Sequence, residues 1–329
     1  MNIYYPQYYK QFHCIASACP DSCCHEWEVD IDPETAKMYR ELPGDLGQRL
    51  RQVLQDTQYG TCMTIENRRC PMWRQDGLCR IQAELGHDAL SHTCRNFPRL
   101  RHDYGDFAEL GLELSCPEAA RLILTGDSTL AEETAPDGEE PEYESQVMSA
   151  LLASRKQIYA LLEDTRYTIP QMLTILLLYA HQVQSQIDGG EAALYDPESA
   201  LSTGKKLSQT ADIPLFLNFF KELEILTDRW QNRLENPAPT PWCDSYRPLV
   251  KYFVQRYWLQ AVSDYDLICR AKLIVTACLL IHILGGDLTE TAQLFSKEIE
   301  NDPDNVEALL DGAYTSPALT DIHLLSLLR

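Results

Sequence analysis

The chain has few basic residues for its length and a large excess of acidic ones. Its 28 Lys and Arg residues face 49 Asp and Glu residues, which gives a formal net charge of −21. A surface this acidic repels phosphate backbones and anionic membranes, so we expect no binding to nucleic acid. The same charge favours a basic or lysine-bearing protein partner, although acidity also serves solubility alone.

Hydrophobic segments that target or anchor a chain are also missing. The N-terminal run MNIYYPQYYKQF lacks a basic start followed by an apolar stretch. The longest apolar run, residues 273–284, is interrupted by Thr276 and His282. It is shorter than the roughly 20 residues that a transmembrane helix needs. We therefore expect a cytoplasmic protein with reduced thiols and no transmembrane segment.

Several common catalytic motifs do not occur. No glycine-rich fingerprint follows a strand-like segment, which argues against a Rossmann or P-loop enzyme. Neither a Ser–His–Asp elbow nor an HExxH motif is found. The C-x3-C-x2-C signature of radical S-adenosylmethionine enzymes is absent as well. The sequence identifies neither a catalytic base nor an oligomeric state.

Cysteine is abundant and concentrated in the first third of the chain. A disulfide framework needs an oxidising compartment, and buried structural cysteines seldom crowd in this way, so their density favours a metal or cluster site. The spacing C-x4-C-x3-C-C, followed by long gaps, does not decide between zinc and an iron–sulfur cluster. Nine of the 12 cysteines lie in this region: Cys14, Cys19, Cys23, Cys24, Cys62, Cys70, Cys79, Cys94 and Cys116.

The densest cysteine stretch carries the signals of a helix start. Pro20 suits the first turn of a helix, and Asp21 adds an acidic residue there. Cys19 and Cys23 would then lie four residues apart on one face. The positive helix N-terminus would favour their thiolate forms, which are the forms that bind metal.

The pattern of apolar residues predicts a mainly α fold, in which a small cysteine-rich metal-binding N-terminal domain packs with a C-terminal helical bundle. Residues 1–126 form the cysteine-rich domain, residues 127–144 an acidic linker with eight acids, and residues 145–329 the helical domain. Alternating strand patterns are nearly absent. Predicted helices span residues 35–40, 47–54, 117–124, 147–162, 170–187, 214–234, 246–262 and 265–284, with shorter ones near 288–300, 304–311 and 318–328.

Three runs within residues 1–126 resemble the flagellin lysine-N-methylase family, whose cysteine core is related to the broader CxxCxxCC metal-chelating domains. The first run is Phe12-x-Cys14 with Cys19-Pro20-Asp21-Ser22-Cys23-Cys24-x-x-Trp27. The second is Gly77-Leu78-Cys79-x-Ile81, Leu85-Gly86 and Leu90-Ser91-x-Thr93-Cys94-Arg95-x-Phe97-Pro98-Arg99. The third is Leu114-Ser115-Cys116-Pro117-Glu118-x-Ala120-Arg121.

The resemblance implies an enzyme that transfers methyl groups from S-adenosylmethionine to lysine ε-amines of a protein, flagellin or a flagellin-like chain. It also implies a 4Fe–4S cluster, with zinc as the alternative metal. The first spacings here are wider than CxxCxxCC, and the matching cysteines exceed the four that one cluster needs. The implied ligands are Cys14, Cys19, Cys23, Cys24, Cys70, Cys79, Cys94 and Cys116.

Two arginines of the second run are candidates for holding the methyl donor. Arg95 and Arg99 would bind the carboxylate of S-adenosylmethionine, because a guanidinium pairs with a carboxylate through two hydrogen bonds. The alternative function is a non-enzymatic zinc- or iron-binding protein whose helical domain docks a partner. Bound methyl donor would distinguish the enzyme from this alternative.

Overall fold

The structure is a computed structural model that describes residues 1–25, 27–58, 60–135, 138 and 140–329. It is 58% helical and 12% strand, which confirms the mainly α fold class. The strands within the described residues are β1 (Asn2–Pro6), β2 (Val29–Ile31), β3 (Leu54–Thr57), β4 (Gly60–Met63), β5 (Arg99–Asp103), β6 (Phe107–Leu112) and β7 (Leu130–Thr134).

The α-helices of the described residues are short before residue 126 and longer after it. The first five are α1 (Pro33–Glu41), α2 (Gly44–Val53), α3 (Arg80–Leu85), α4 (His92–Asn96) and α5 (Pro117–Thr125). The others are α6 (Ser145–Glu163), α7 (Ile169–Ile187), α8 (Pro197–Leu207), α9 (Ile213–Lys221), α10 (Asp228–Glu235), α11 (Tyr246–Tyr257), α12 (Leu267–Leu284), α13 (Leu288–Phe295), α14 (Pro303–Thr315) and α15 (Asp321–Leu327). A π-helical segment, Ser296–Glu300, continues α13.

A four-stranded sheet joins the two ends of the cysteine-rich region. Its strand order is β5-β6-β1-β7, and β1 runs parallel to β6 with Tyr4 opposite Glu109. Parallel neighbours need a long crossover. Here the connection from β1 to β6 contains β5 and the cysteine-bearing segment, residues 7–98, which we call the crossover. A second sheet, with order β2-β4-β3, lies inside that crossover.

Part of the predicted acidic linker belongs to the first sheet. Strand β7 pairs antiparallel with β1, with Tyr4 opposite Glu132. Residues 130–134 are therefore an edge strand rather than a solvated linker. Their acidic side chains stay exposed while their backbone completes the sheet, and composition alone does not reveal this pairing. Pro136, Asp137 and Glu139 of the same segment lie outside the described residues. The boundaries at 126 and 144 remain predictions.

The described residues form two hydrophobic cores. The smaller one belongs to the crossover and contains Tyr39, Leu50 and Met72, each nearly inaccessible to solvent. The larger core unites β6 and α5 with the helical region, so residues such as Leu112 and Leu124 pack in one cluster with α6 to α15. The cysteine-bearing crossover thus has only a small hydrophobic interior of its own. Its first residues, such as Tyr8 and Phe12, belong to the larger core that includes the helical region.

Helix α12 forms the centre of the larger core. It is apolar all round, and every residue except His282 is buried. By length and composition it is the one described helix that is long and apolar enough to cross a membrane, yet 94% of it is buried inside the fold.

The helices after residue 145 mostly confirm the predicted pattern, with two differences. The predicted helix over residues 214–234 is two helices, α9 and α10. The break occurs because the Thr227 side chain caps a new start by accepting a hydrogen bond from the Trp230 backbone N–H. Helix α8 was not predicted, and its largely exposed sequence gives only a weak apolar stripe. Alternating patterns are nearly absent from the sequence, yet the described residues contain seven short strands, and β1 pairs with β6 and β7 more than a hundred residues further along.

Candidate metal centre

The thiols of Cys23 and Cys70 each lie close to the thiol of Cys24. The Cys24 thiol is hydrogen-bonded to the thiols of both Cys23 and Cys70. These bonds lower the pKa of Cys23 to about 7 and also lower the pKa of Cys70, while they raise the pKa of Cys24. The backbone N–H of Cys70 donates to the Cys24 carbonyl at 2.7 Å, so main chain and side chains hold the three together.

A tight turn brings Cys70 to this position. Asn67 and Arg68 both have positive φ angles, of 50° and 62°. The backbones of Glu66 and Arg69 exchange hydrogen bonds across them. Positive φ at both central residues is the signature of a type I′ turn, which Asn favours and Arg does not. The turn reverses the chain so that Cys70 meets Cys24.

Cys79 and Cys94 complete the same neighbourhood. Burial raises the pKa of Cys79, and the nearby thiols of Cys70 and Cys23 raise it further. Desolvation raises the pKa of Cys94 to about 12, with Cys23, Cys70 and Cys79 contributing, although the Cys94 residue as a whole is exposed. Five thiols therefore lie close enough to influence one another, and we call them the sulfur group: Cys23, Cys24, Cys70, Cys79 and Cys94.

Local hydrogen bonds fix the segments that carry these thiols. Asp32 accepts from the backbone N–H of Thr35 at 3.0 Å and from that of His92 at 2.8 Å, so one carboxylate caps both α1 and the start of α4. Ser91 accepts from the Cys94 backbone N–H at 3.3 Å. Cys79 is the residue that immediately precedes α3.

The remaining predicted ligands form a second neighbourhood. Burial raises the pKa of Cys116 to about 12, and the thiols of Cys19 and Cys14 add to this effect. Burial also raises the pKa of Cys19, whose neighbours include Cys14 and Cys23. Cys116 precedes α5 and packs against the larger core. Cys14, Cys19 and Cys116 thus lie beside the sulfur group, linked to it through Cys23.

The predicted helix over Cys19 to Cys23 is not formed. Residues 19–24 follow turns, and Asp21 directs its carboxylate to the Ser22 backbone N–H at 2.8 Å and to the helical region. The Ser22 hydroxyl accepts from the Cys24 backbone N–H at 3.1 Å. Short polar side chains that bond to nearby backbone compete with helix formation. The thiolate of Cys23 is therefore favoured by Cys24 and a nearby lysine rather than by a helix terminus.

The donor chemistry fits a metal centre. All twelve cysteines are free thiols, and five of them share one neighbourhood. Thiolate donors suit zinc and iron–sulfur clusters. Among the described residues, no three Cys, His, Asp or Glu side chains are spaced to hold a single ion as they stand. The fit therefore rests on the number and type of donors brought together.

The two arginines proposed to bind the methyl donor belong to different elements and have different surroundings. Arg95 is an exposed residue of α4. Arg99 begins β5, and its guanidinium carbon lies 5.1 Å from the centroid of the Phe12 ring. A cation–π contact with Phe12 gives Arg99 a packing role. Neither arginine lines a cavity described below, and their assignment to the donor carboxylate remains a prediction.

The sequence did not point to the residues that join the crossover to the helical region. Lys297 of the π-helical segment lies 3.1 Å and 3.2 Å from the two carboxylate oxygens of Asp21. Gln293 donates to Asp21 at 3.0 Å and to the Ser115 carbonyl at 2.8 Å. The Lys297 ammonium lies 4.9 Å from the centroid of a Trp27 ring. The run Ser296-Lys297-Glu298-Ile299-Glu300 is mostly polar and suggests a surface, yet all five residues are buried.

Comparison with known proteins identifies bacterial relatives. The flagellar biosynthetic protein FliU of Salmonella muenchen is 34% identical over 136 residues, which covers 38% of this chain and 79% of that protein. Lysine-N-methylases of Salmonella typhimurium and Salmonella choleraesuis are also 34% identical over 136 residues. The match covers 33% of each of those two proteins, so it spans about a third of their length. No protein-family profile and no solved structure matches the chain.

Proposed function

The chain belongs to the flagellin lysine-N-methylase family, and from this we propose that it methylates lysine ε-amines of flagellin or a flagellin-like protein, with S-adenosylmethionine as the donor. The observation that carries the proposal is the likeness to proteins named FliU and Lysine-N-methylase, one of which it covers over most of its length. The net charge of −21 suits a lysine-bearing substrate, since opposite charge accelerates encounter.

Methyl transfer to lysine is a nucleophilic displacement at the donor methyl carbon. The lone pair of the lysine nitrogen forms a bond to the donor methyl carbon while the bond from that carbon to the sulfonium sulfur breaks. The products are a methylated amine and S-adenosylhomocysteine, and one proton leaves the nitrogen. A lysine ammonium has no lone pair, so the site must favour the neutral amine by burial or by a neighbouring base.

We further propose that the sulfur group holds a 4Fe–4S cluster, with zinc as the alternative metal. The thiols of Cys23, Cys24, Cys70, Cys79 and Cys94 come from three separated segments, and a cluster bound there would tie these segments together. When bound, it would supply a centre whose charge and redox state depend on its surroundings. The Lys297 ammonium, which helps to lower the pKa of Cys23, supplies positive charge beside those thiolates.

Methyl transfer is tested directly with the full-length protein, purified without oxygen. Flagellin and S-adenosylmethionine with a labelled methyl group are the substrates, and the label on flagellin lysines is located by mass spectrometry. We expect label on lysine in wild type and none with a flagellin whose amines are blocked. A protein that holds metal and binds flagellin but transfers no methyl group would instead be the non-enzymatic metal-binding protein.

A further inference from the structure

A cleft lies where the cysteine-bearing crossover meets the helical region. It has a volume of about 270 Å³, close to the lower end of the roughly 300–1,000 Å³ that is typical of small-molecule sites. The crossover contributes Asp21 and Arg68, while the helical region contributes Thr227, Asp228, Arg229 and Lys297. Asp21 is two residues from Cys23, so the cleft adjoins the sulfur group.

The walls of this cleft are held by hydrogen bonds that cross between the two regions. Arg68, at the positive-φ turn before Cys70, donates to the Leu226 carbonyl at 2.6 Å and to Asp228 at 3.2 Å. On the opposite side, Glu298 accepts from the Leu226 backbone N–H at 2.8 Å and from the Thr227 hydroxyl. The loop before α10 is therefore fixed from both sides.

A π-helical turn contributes Lys297 to the lining of the cleft. Ser296–Glu300 is buried throughout, and π-helical turns within helices are frequently found at functional sites. Only 3% of the Lys297 side chain is exposed, and its ammonium is placed by Asp21 and the Trp27 ring. A buried ammonium held in this way is fixed in position before any ligand arrives.

The charges that line the cleft have both signs. Arg68, Arg229 and Lys297 are cationic, whereas Asp21 and Asp228 are anionic. A phosphate would meet two carboxylates, and a purely cationic ligand would meet three cations. A ligand with a carboxylate and an ammonium on one carbon matches both signs. The Asp228 side chain is 92% exposed and pairs with Arg68, and the Arg229 side chain is 46% exposed and pairs with Glu290. Both side chains are accessible from solvent, so a ligand that carries both charges can exchange with these pairs.

We propose that this cleft binds the zwitterionic amino-acid end of S-adenosylmethionine, with Arg229 and Lys297 facing its carboxylate and Asp228 facing its ammonium. The assignment rests on the proposed function, because it takes the methyl donor from it. It places the donor beside the sulfur group and at the junction of the two regions. It also replaces Arg95 and Arg99 as the residues expected to hold the donor carboxylate.

Donor binding to full-length protein, purified without oxygen, tests the assignment. Dissociation constants for S-adenosylmethionine and for L-methionine are measured by calorimetry on wild type, Asp228→Asn and Arg229→Gln. The matched control is Arg166→Gln, an exposed arginine that pairs with Asp164 and does not line the cleft. Arg95→Ala and Arg99→Ala test the other location. Thermal melting confirms that each variant is folded, as expected for exposed side chains.

We expect Asp228→Asn and Arg229→Gln each to weaken binding of S-adenosylmethionine at least tenfold, with Arg166→Gln, Arg95→Ala and Arg99→Ala within twofold of wild type. Unchanged affinity in both cleft variants would overturn the assignment, as would a wild type that binds no donor. Loss of binding in the cleft variants without methyl transfer by wild type would support the cleft and contradict the proposed function. Methyl transfer by wild type, together with unchanged donor affinity in the cleft variants, would support the proposed function and contradict the assignment of the cleft.

Discussion

Lys297 and Asp21 form an ion pair that joins the π-helical segment after α13 to the cysteine run of the crossover. The ammonium nitrogen lies 3.1 Å and 3.2 Å from the two carboxylate oxygens, with 3% of the lysine and 23% of the aspartate side chain exposed. Burial opposes the charge of Asp21, but Lys297 and the Ser22 backbone N–H outweigh it and lower the Asp21 pKa. This pair therefore attaches the segment that carries Cys23 and Cys24 to the helical region.

Replacing Lys297 by methionine should strongly destabilise the protein. The substitution leaves the Asp21 carboxylate partly buried without its cation, and removing one partner of a buried pair costs roughly 3–5 kcal/mol. Because Asp21 keeps some exposure and its bond from Gln293, we expect the lower end of that range. The free energy of unfolding is measured by urea denaturation.

The double variant Lys297→Met with Asp21→Asn is the control for that experiment. It removes both charges, so it should be more stable than Lys297→Met alone. Equal stability of the single and double variants would contradict the coupling between these residues.

Serine substitutions should divide the cysteines into ligands and non-ligands. We expect Cys23→Ser and Cys70→Ser to lose most of their iron and sulfide, because both thiols contact Cys24 inside the sulfur group. Cys14→Ser and Cys116→Ser, in the neighbouring group, should keep most of theirs. Wild type should contain about four irons and four sulfides per chain, as one 4Fe–4S cluster requires.

The matched control for metal content is Cys243→Ser, because Cys243 is exposed in the helical region. Iron, sulfide and zinc are determined on protein purified without oxygen, together with the visible absorption spectrum. One zinc and no iron in wild type would replace the cluster by a zinc site. Iron retained in Cys23→Ser and Cys70→Ser but lost in Cys14→Ser and Cys116→Ser would move the site to the second group.

The ion pair between Glu109 of β6 and Arg155 of α6 should be essential for stability. Its two hydrogen bonds are 2.8 Å and 2.5 Å long, and the side chains are 3% and 6% exposed. Glu109→Ala leaves the guanidinium buried and unpaired, so we expect a loss of about 3–5 kcal/mol in unfolding free energy. The exposed pair of Arg101 and Asp103 is the comparison, and Arg101→Ala should cost less than about 1 kcal/mol. Similar losses in the two variants would contradict this difference in burial.

Glu298 should make the protein less stable as pH rises through the weakly acidic range. Burial raises its pKa from 4.5 to about 7, despite bonds from Thr227 and Leu226 that favour the charged form. Between these pH values the folded state holds a proton that the unfolded state has released, so the free energy of unfolding falls with increasing pH. The full effect of this one group is on the order of 3 kcal/mol.

Glu298→Gln removes that titration and keeps an oxygen acceptor. The difference in unfolding free energy between variant and wild type should therefore grow in favour of the variant from about pH 4.5 to 7. Urea denaturation across this range measures the difference, which cancels the contributions of other carboxylates. A difference that does not vary with pH would show that Glu298 titrates normally.

Much of the helical region could be predicted because its signals are local. The apolar stripe of α6, the Pro170 start of α7 and the glycine stops after α7 and α12 are each contained in a short run of sequence. Strands could not be predicted in the same way. Strand β1 pairs with β6 about a hundred residues further along, and neither strand alternates clearly enough to be recognised alone.

The metal site likewise has local features that could be predicted and long-range features that could not. The clustering of cysteines and their matching motifs are properties of the sequence. Which thiols meet depends on the turn at Asn67 and Arg68 and on the carboxylate of Asp32, which bring separated segments together. The helix expected at Pro20 does not form because Asp21 and Ser22 accept hydrogen bonds from nearby backbone N–H groups. Asp21 is held in this arrangement by Lys297 and Gln293, far along the chain.

The sequence by itself determined the mainly α fold, the family, the acidic surface and the cysteine-rich region, because composition, periodicity and motif spacing are local properties. Only the tertiary structure decided that the first residues of the crossover belong to the larger core and that Cys23, Cys24, Cys70, Cys79 and Cys94 form one group. It also decided that the polar run of residues 296–300 is buried beside a charged cleft. These features depend on contacts between residues up to 276 positions apart, and no local pattern of residues encodes such contacts.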